Sequence, residues 1–545
     1  MNQLYFGDNL EVLRKMDSES VDLVYLDPPF NSNASYNVLF KEQDGTKASA
    51  QIKAFDDTWV WDEFAARAYE DVVEQGGELS QALMGFRHLL GSSNMMAYLS
   101  MMAPRLVELW RLLKETGSLY LHCDPVASHY LKILLDAIFE PQNFRSEIIW
   151  RRTNSHNKTS YQYGPIHDVI LFYSKSDKMK FHPGKTPYSK AYIKDRFVHT
   201  DERGRYQLNY LTGPGTRSGD SGKSWKGFDP TTAGRHWAVP KSLREFLPEN
   251  ADELESRQKL EILYDQGLIE LPKKKGGQPM YRQYVGDGVP YQDIWAYQPN
   301  TRGVLHDTDI CIDEDVKYLE NEEERLGFPT QKPVGLLKRI IETSTEEGDV
   351  VLDPFCGCGT TVLASQILGR SWIGIDVTHI AISLIQRRLE KICGMTIKYD
   401  VHGTPTTIEE ADALRQYDAY QFQDWAISLI GANPSQKKKG ADRGLDGIIY
   451  FHDDNSGKTK KLVVQVKSGK MGPTHVRDLM GVLTQDKADM GVLMTFAPAT
   501  KKMKEAALAA GFYKSAESKH QRIQILSVQE LLEGTAKLSC PGRAY

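Results

Sequence analysis

Two strand-to-loop transitions, set among alternating apolar strands and amphipathic helices, predict an α/β protein built on a doubly wound, Rossmann-like sheet. The first is Val350-Val351-Leu352, a β-branched run that stops at Asp353-Pro354 and is followed by Gly357 and Gly359. Glycines there let the backbone of a tight loop approach a ligand closely. The second is the run from Ser371 to Ile375, which ends in Asp376. A glycine loop after one strand and a carboxylate after the next is the nucleoside-binding layout of such sheets. The dinucleotide fingerprint is not met, because Phe355 fills the loop and no third glycine stands at the usual offset.

A chain of 545 residues has room for roughly three domains. Its 41% hydrophobic and 26% charged residues and its net charge of −5 are ordinary for a soluble protein. No run is long and apolar enough to span a bilayer, and the N-terminus lacks the basic and apolar parts of a secretory leader. Of six cysteines only Cys356 and Cys358 lie close together. Without a zinc spacing they read as reduced thiols, and the chain as cytoplasmic. The mildly acidic balance does not exclude a nucleic-acid partner, since local patches set that binding.

Taken in order, residues 3–8 read as a strand ending at Gly7-Asp8-Asn9, followed by a helix carrying Leu10, Val12, Leu13 and Met16. Val21 to Leu26 is a second strand that runs straight into Asp27-Pro28-Pro29-Phe30. Two prolines end a strand and stiffen the backbone at the carboxyl edge, where such sheets bind ligands. Residues 45–116 are expected to be helical, with Trp59, Trp61, Phe64 and Tyr69 packing inward. The next strand, 117–124, ends at His122 and Asp124, both assigned structural roles. From 181 to 326 the chain turns irregular, aromatic and basic, as in Thr216 to Lys226, Gly234 to Trp237 and Lys273 to Lys275. Arg and Lys interleaved with Trp and Tyr suit phosphate contacts and base stacking. For any one of these residues a solvated or structural role is the plainer reading. The sheet resumes at Pro329-Thr330-Gln331-Lys332-Pro333. The expected segments are therefore 1–180, 181–326, 327–400, a linker at 401–416, and a separate α/β unit at 417–545.

Asp-Pro-Pro-Phe after a strand, with Asp-Pro-Phe-x-Gly-x-Gly-Thr-Thr downstream, resembles the β group of amino-group DNA methyltransferases over residues 1–400. The resemblance implies S-adenosylmethionine as methyl donor, double-stranded DNA as partner, a flipped target base, and 181–326 as an inserted DNA-recognition region. It implies that Asp27 and Pro28 hold the target amine, that Pro29 stiffens the turn, and that Phe30 stacks on the base. Cofactor-binding roles fall to Asp8, Gln331, Lys332, Asp353, Phe355, Gly357, Gly359, Thr360 and Asp376. A leading Asp, where cytosine-N4 enzymes of the family carry Ser, favours adenine N6. The chemistry agrees with these residue types. An exocyclic amine is a poor nucleophile, so positioned acceptors and near-attack geometry matter most. No membrane is implied, and a homodimer is compatible with the reading.

In the C-terminal unit, Gly444-Leu445-Asp446-Gly447, a hairpin and Gln465-Val466-Lys467 follow one another. A period of two puts Gln465 and Lys467 on one face, with Leu462, Val464 and Val466 on the other. The combination resembles the Mrr-like branch of the PD-(D/E)xK nuclease fold. It implies Mg²⁺ held by Asp446 and Gln465, with Lys467 steadying charge. Asp424 is the nearest acid on the first helix, and Lys437, Lys438 and Lys439 either touch phosphate or are solvated. Three readings stand. They are a DNA methyltransferase fused to an endonuclease, as in restriction-modification; a methyltransferase whose C-terminal unit only binds DNA; and an RNA or protein-glutamine methyltransferase.

Overall fold

The computed structural model describes residues 2–29, 35–41, 47–56, 60–153, 163–186, 188, 190–273, 277–295, 314–319, 324–326, 330–394, 397–435, 445–453, 459–469, 471–515 and 518–541. Phe30, Trp59, Lys274, Lys275, Lys437, Lys438, Lys439 and Gly444 lie outside them. The chain divides into two compact units, Met1–His182 with Gln292–Tyr297 and Glu314–Tyr545, and Pro183–Tyr291 with Gln298–Asp313.

In the first unit the main sheet contains β1 (Asn2–Phe6), β2 (Val21–Leu26), β3 (Leu113–Cys123), β4 (Phe144–Arg151), β5 (His167–Ser174), β6 (Ile294–Trp295), β7 (Val350–Asp353), β8 (Ser371–Asp376) and β9 (Tyr399–His402). Their order across the sheet is β6-β4-β5-β3-β2-β7-β8-β1-β9. Only β5 runs against its neighbours. β2 is buried along its whole length, as an inner parallel strand covered on both faces must be. Val24 and Leu26 pack against helices Asn94–Leu112 and Pro125–Phe139, while Leu23 and Tyr25 pack against Val334–Ser344. The charged exception, Asp22, takes Lys114 Nζ at 2.7 Å and the Val350 amide at 3.0 Å.

This order sets the site. From β7 the chain passes through helix Thr360–Ile367 to β8, and from β2 it passes the other way to β3. Adjacent parallel strands that lead apart leave a crevice at their carboxyl ends. The motifs at 27–29 and 353–361 meet there.

Three expectations differ from the structure. Within 45–116, Lys47–Asp56 is a strand paired with Ser35–Lys41, and β3 starts at Leu113. Its alanines favour helix, but its polar residues alternate with them and a partner strand supplies the ladder bonds. Phe64, expected to pack, is 74% exposed. The stretch 401–416 holds the end of β9 and most of helix Ile408–Tyr417, so little of it is linker.

The second unit carries a four-stranded antiparallel sheet, in the order Ile269–Glu270, Met280–Tyr284, Gly204–Tyr210, His199–Asp201. Trp225 and Trp237 take the plainer, structural role and form its core with Leu211, Leu260 and Leu263. Their indole N–H groups donate to Glu261 and to the Lys223 carbonyl. In a segment short of regular elements, two indoles are the largest apolar surfaces available to bury.

The C-terminal residues build a second sheet from β10 (Asn433–Pro434), β11 (Gly447–Phe451), β12 (Lys460–Lys467), β13 (Met490–Thr495) and β14 (Ile523–Ser527), in that order. β11 and β12 are antiparallel, and β12, β13 and β14 are parallel. Among the described residues no helix is long and apolar enough to cross a membrane.

Candidate active site

Asp27 follows β2 directly, and its carboxylate has two unlike oxygens. Oδ2 accepts from Lys332 Nζ at 2.5 Å, across 305 positions of sequence. Oδ1 is buried and has no hydrogen-bond partner among the described residues. The side chains of Lys332 and Asp27 are 9% and 14% exposed, so water does little to satisfy either. An unmet acceptor in such a place costs free energy unless a ligand meets it. The pocket around it is lined by Tyr25, Asp27, Lys332, Asp353, Phe355 and Thr360, among others.

Across the crevice the loop after β7 is held by its own sequence. Asp353 accepts from the Phe355 amide at 3.0 Å and from Thr361 Oγ1 at 2.6 Å. Burial pushes its carboxyl up to about 7 against those bonds, and Asp27 and Asp376 add repulsion. Gly357 and Gly359 have φ of +48° and +75°, in the left-handed region. At Gly359 an added Cβ would stand 2.5 Å from Ile385 Cγ1, so glycine is needed there for space as well. Asp376 closes the loop from β8. Its Oδ2 accepts from the Gly357 amide, and its Oδ1 accepts from the amide and hydroxyl of Thr378. Burial raises its carboxyl, and the Thr378 and Gly357 bonds oppose that. Arg388 clamps the far side through the Cys358 carbonyl and Thr360 Oγ1, both at 3.1 Å. Burial pushes the Cys356 and Cys358 thiols up, so both are inert packing groups.

Two residues expected to meet a cofactor make contacts within the protein. Asp8 caps helix Asn9–Lys15 through the Leu10 amide and pairs with Arg105 at 2.8 Å. Gln331 spends its amide on the Glu324 carbonyl and the Leu326 amide. Asp124 caps helix Pro125–Phe139 through the Ala127 amide.

The structure also shows residues that the sequence reading missed. Asn9 donates to the Pro354 carbonyl at 2.8 Å and accepts from Arg105 Nε at 2.6 Å, tying the start of helix Asn9–Lys15 to the glycine loop. Tyr25 Oη lies 2.9 Å from His122 Nδ1, and His122 Nε2 lies 3.1 Å from Asp168 Oδ2. Arg152 meets Asp168 Oδ1 at 3.1 Å. Burial raises the Asp168 carboxyl, but His122, Lys332 and Arg152 outweigh it and hold the group below its ordinary value. Only the period of two on β2, which puts Tyr25 on the face of Asp27, could have pointed to this set.

In the C-terminal unit the register Gly447 to Val464 brings Asp446 beside Gln465. Asp446 accepts from Gln423 Nε2 at 2.8 Å and from the Val466 amide at 2.7 Å. Gln465 Oε1 is buried without a hydrogen-bond partner among the described residues. Among the same residues no group of three His, Cys, Asp or Glu could hold a metal.

A doubly wound sheet with an acid-diproline turn and a glycine loop at its switch point defines the class of protein. Residues 21–387 match the N6/N4 methyltransferase family, described as DNA methylase, and the chain belongs to that family. It is 28% identical to the type II methyltransferase M.EcaI of Enterobacter cloacae over 392 residues, 71% of this chain and 69% of that protein. It is 29% identical to the Mod subunit of the type III restriction-modification enzyme StyLTI of Salmonella typhimurium over 379 residues. That match covers 67% of this chain and about half (50%) of the subunit. A solved DNA modification methylase of Thermus thermophilus, complexed with S-adenosyl-L-methionine, aligns over 74% of this chain and 100% of its own, at 14% identity and a TM-score of 0.32. Residues 419–533 match a family described as NACHT-associated inactive restriction endonuclease 1.

Proposed function

We propose that this DNA methyltransferase moves a methyl group from S-adenosylmethionine to adenine N6 of a base extruded from double-stranded DNA. The observation that carries the reading is Asp27 Oδ1, a buried and unmatched acceptor on a carboxylate fixed at its other oxygen, beside the glycine loop. The cofactor would supply a methyl group activated by a sulfonium. A carboxylate offers about four lone-pair sites, and the three donors on Asp376 leave room for a ribose hydroxyl. Gly357, Gly359, Phe355 and Thr360 would face the methionine part, and Asp353 the positive sulfur. Asp8 and Gln331 would shape this pocket through the backbone they hold.

At the acceptor side Asp27 Oδ1 and the Pro28 carbonyl would take the two amine hydrogens. Those bonds localise the nitrogen lone pair and aim it along the line of attack. Pro29 stiffens the turn, and Phe30 would stack on the base outside its helix. Asp in place of Ser at position 27 supports adenine over cytosine. The second unit, 183–291, would read DNA through its exposed basic loops, since its tryptophans are committed to its core.

Transfer of labelled methyl groups to DNA, RNA and protein, followed by nucleoside analysis, tests this. N6-methyladenine in DNA is expected, with Asp27→Ala abolishing transfer while cofactor binding persists. Label in RNA or protein, or N4-methylcytosine alone, overturns it.

We infer for residues 417–545 a Mg²⁺-dependent endonuclease activity, supported by the unmatched Gln465 Oε1 beside Asp446. Mg²⁺ takes one or two carboxylates and completes its shell with water and phosphate, so this oxygen pair fits it. Lys467 would steady charge at the scissile phosphate. Against this stands the likeness to a family described as inactive. Unmethylated plasmid with Mg²⁺ decides the matter. Cutting that Asp446→Ala removes supports the nuclease. No cutting across varied sequences makes the unit a DNA-binding module only.

A further inference from the structure

Three buried side chains on three adjacent strands remain unexplained by binding at Asp27. Tyr25 is on β2, His122 on β3 and Asp168 at the start of β5, and these strands are neighbours in the sheet. Successive contacts of 2.9 and 3.1 Å join them across it. His122 is fully buried, and Trp150 packs edge-on against its ring at 5.5 Å. Inner strands of a covered sheet carry apolar residues by default, and a polar set in that place costs stability that apolar side chains would not. The inner end of the set is Tyr25, which lines the same pocket as Asp27 and Asp353. The outer end is Arg152, whose side chain is 39% exposed.

The set has a direction. With Asp168 ionised, His122 presents its N–H at Nε2 and leaves the Nδ1 lone pair to accept from Tyr25. Tyr25 therefore spends its hydrogen inside the protein and keeps oxygen lone pairs free to accept, and its side chain lines the pocket. We propose that Tyr25, His122 and Asp168 are a proton relay that drains the methyl-acceptor nitrogen. The relay rests on methyl transfer at Asp27, and it assigns Tyr25 a catalytic place and His122 and Asp168 positioning ones.

Formation of the N–C bond leaves the nitrogen with one proton too many. The hydrogen that the Pro28 carbonyl holds before attack is the one released: its N–H bond breaks to Tyr25 Oη as the Tyr25 O–H proton passes to His122 Nδ1. The resulting imidazolium faces the Asp168 carboxylate, which stabilises it without taking the proton. When product leaves, the reverse shift returns the proton to pocket water, and the set is reset. No oxidant, metal or further reactant is needed.

Single-turnover methyl transfer on a DNA duplex, with the full chain and saturating cofactor, tests the relay in H₂O and D₂O. Tyr25→Phe and His122→Gln should slow the step about 100- to 10,000-fold, the range of general acid–base catalysis. Asp168→Asn keeps the volume but lets the amide N–H face Nε2, which reverses the tautomer, and it should slow the step as much. Cofactor affinity should stay within about twofold in all three variants, and the wild-type solvent isotope effect should vanish in Tyr25→Phe. Rates within about twofold of wild type, or an isotope effect that survives in Tyr25→Phe, overturn the relay and leave a structural core network. Full activity of Asp27→Ala would instead remove the reading on which the relay rests.

Discussion

Asp353 would give the proposed methyl-donor pocket a charge that changes near neutral pH. Burial pushes its carboxyl up to about 7, with Asp27 and Asp376 adding to the effect. A cationic sulfonium in the pocket favours the ionised form, so cofactor binding at low pH must first expel a proton. One unit below the midpoint that costs about 1.4 kcal/mol, or about tenfold in affinity, and one unit above it costs almost nothing. Affinity for S-adenosylmethionine should therefore rise about tenfold between about pH 6 and about pH 8. S-adenosylhomocysteine lacks the positive sulfur and should give a flatter profile. Calorimetry in two buffers of different ionisation heat reads the proton directly, with roughly half a proton released by the methyl donor at the midpoint. Parallel profiles for the two ligands would refute this reasoning, as would an unchanged slope in Asp353→Asn. Stability of the ligand-free protein runs the other way. The folded form keeps a proton that the unfolded chain loses near the ordinary value of 3.8, so this contribution falls as pH rises from there to about 7.

Three further outcomes are expected. Gly359→Ala combines φ of +75° with a Cβ 2.5 Å from Ile385. It should lower stability by about 1–3 kcal/mol in denaturant titrations and weaken cofactor binding. Asn9→Ala leaves the Pro354 carbonyl and Arg105 Nε without their partner, at a cost of about 1–3 kcal/mol. An unchanged denaturation midpoint in that variant would show the tie to be dispensable. Lys332→Met frees Asp27 Oδ2 and lets the carboxylate turn, and single-turnover methyl transfer should slow by about 10- to 100-fold, as misplaced reacting groups do.

The α/β sheet, the acid-diproline turn and the glycine loop could all be read from the chain, because each rests on local chemistry. Proline fixes φ, glycine takes a positive φ without the steric cost other residues bear, and a β-branched run favours a strand. The same local reading failed where a partner decided the outcome. Lys47–Asp56 is a strand because Ser35–Lys41 lies beside it.

The motifs at Asp27 and Asp353 were thus determined by the sequence alone, together with the family that they define. Their meeting was decided by the order β3-β2-β7-β8, which makes neighbours of strands more than 300 positions apart. That order also put Lys332 on Asp27, Asn9 on Pro354, and Tyr25 on His122. Each of these contacts depends on register and burial across distant strands. No spacing along the chain encodes them, because the free energy that selects them is gained only when the whole sheet has packed.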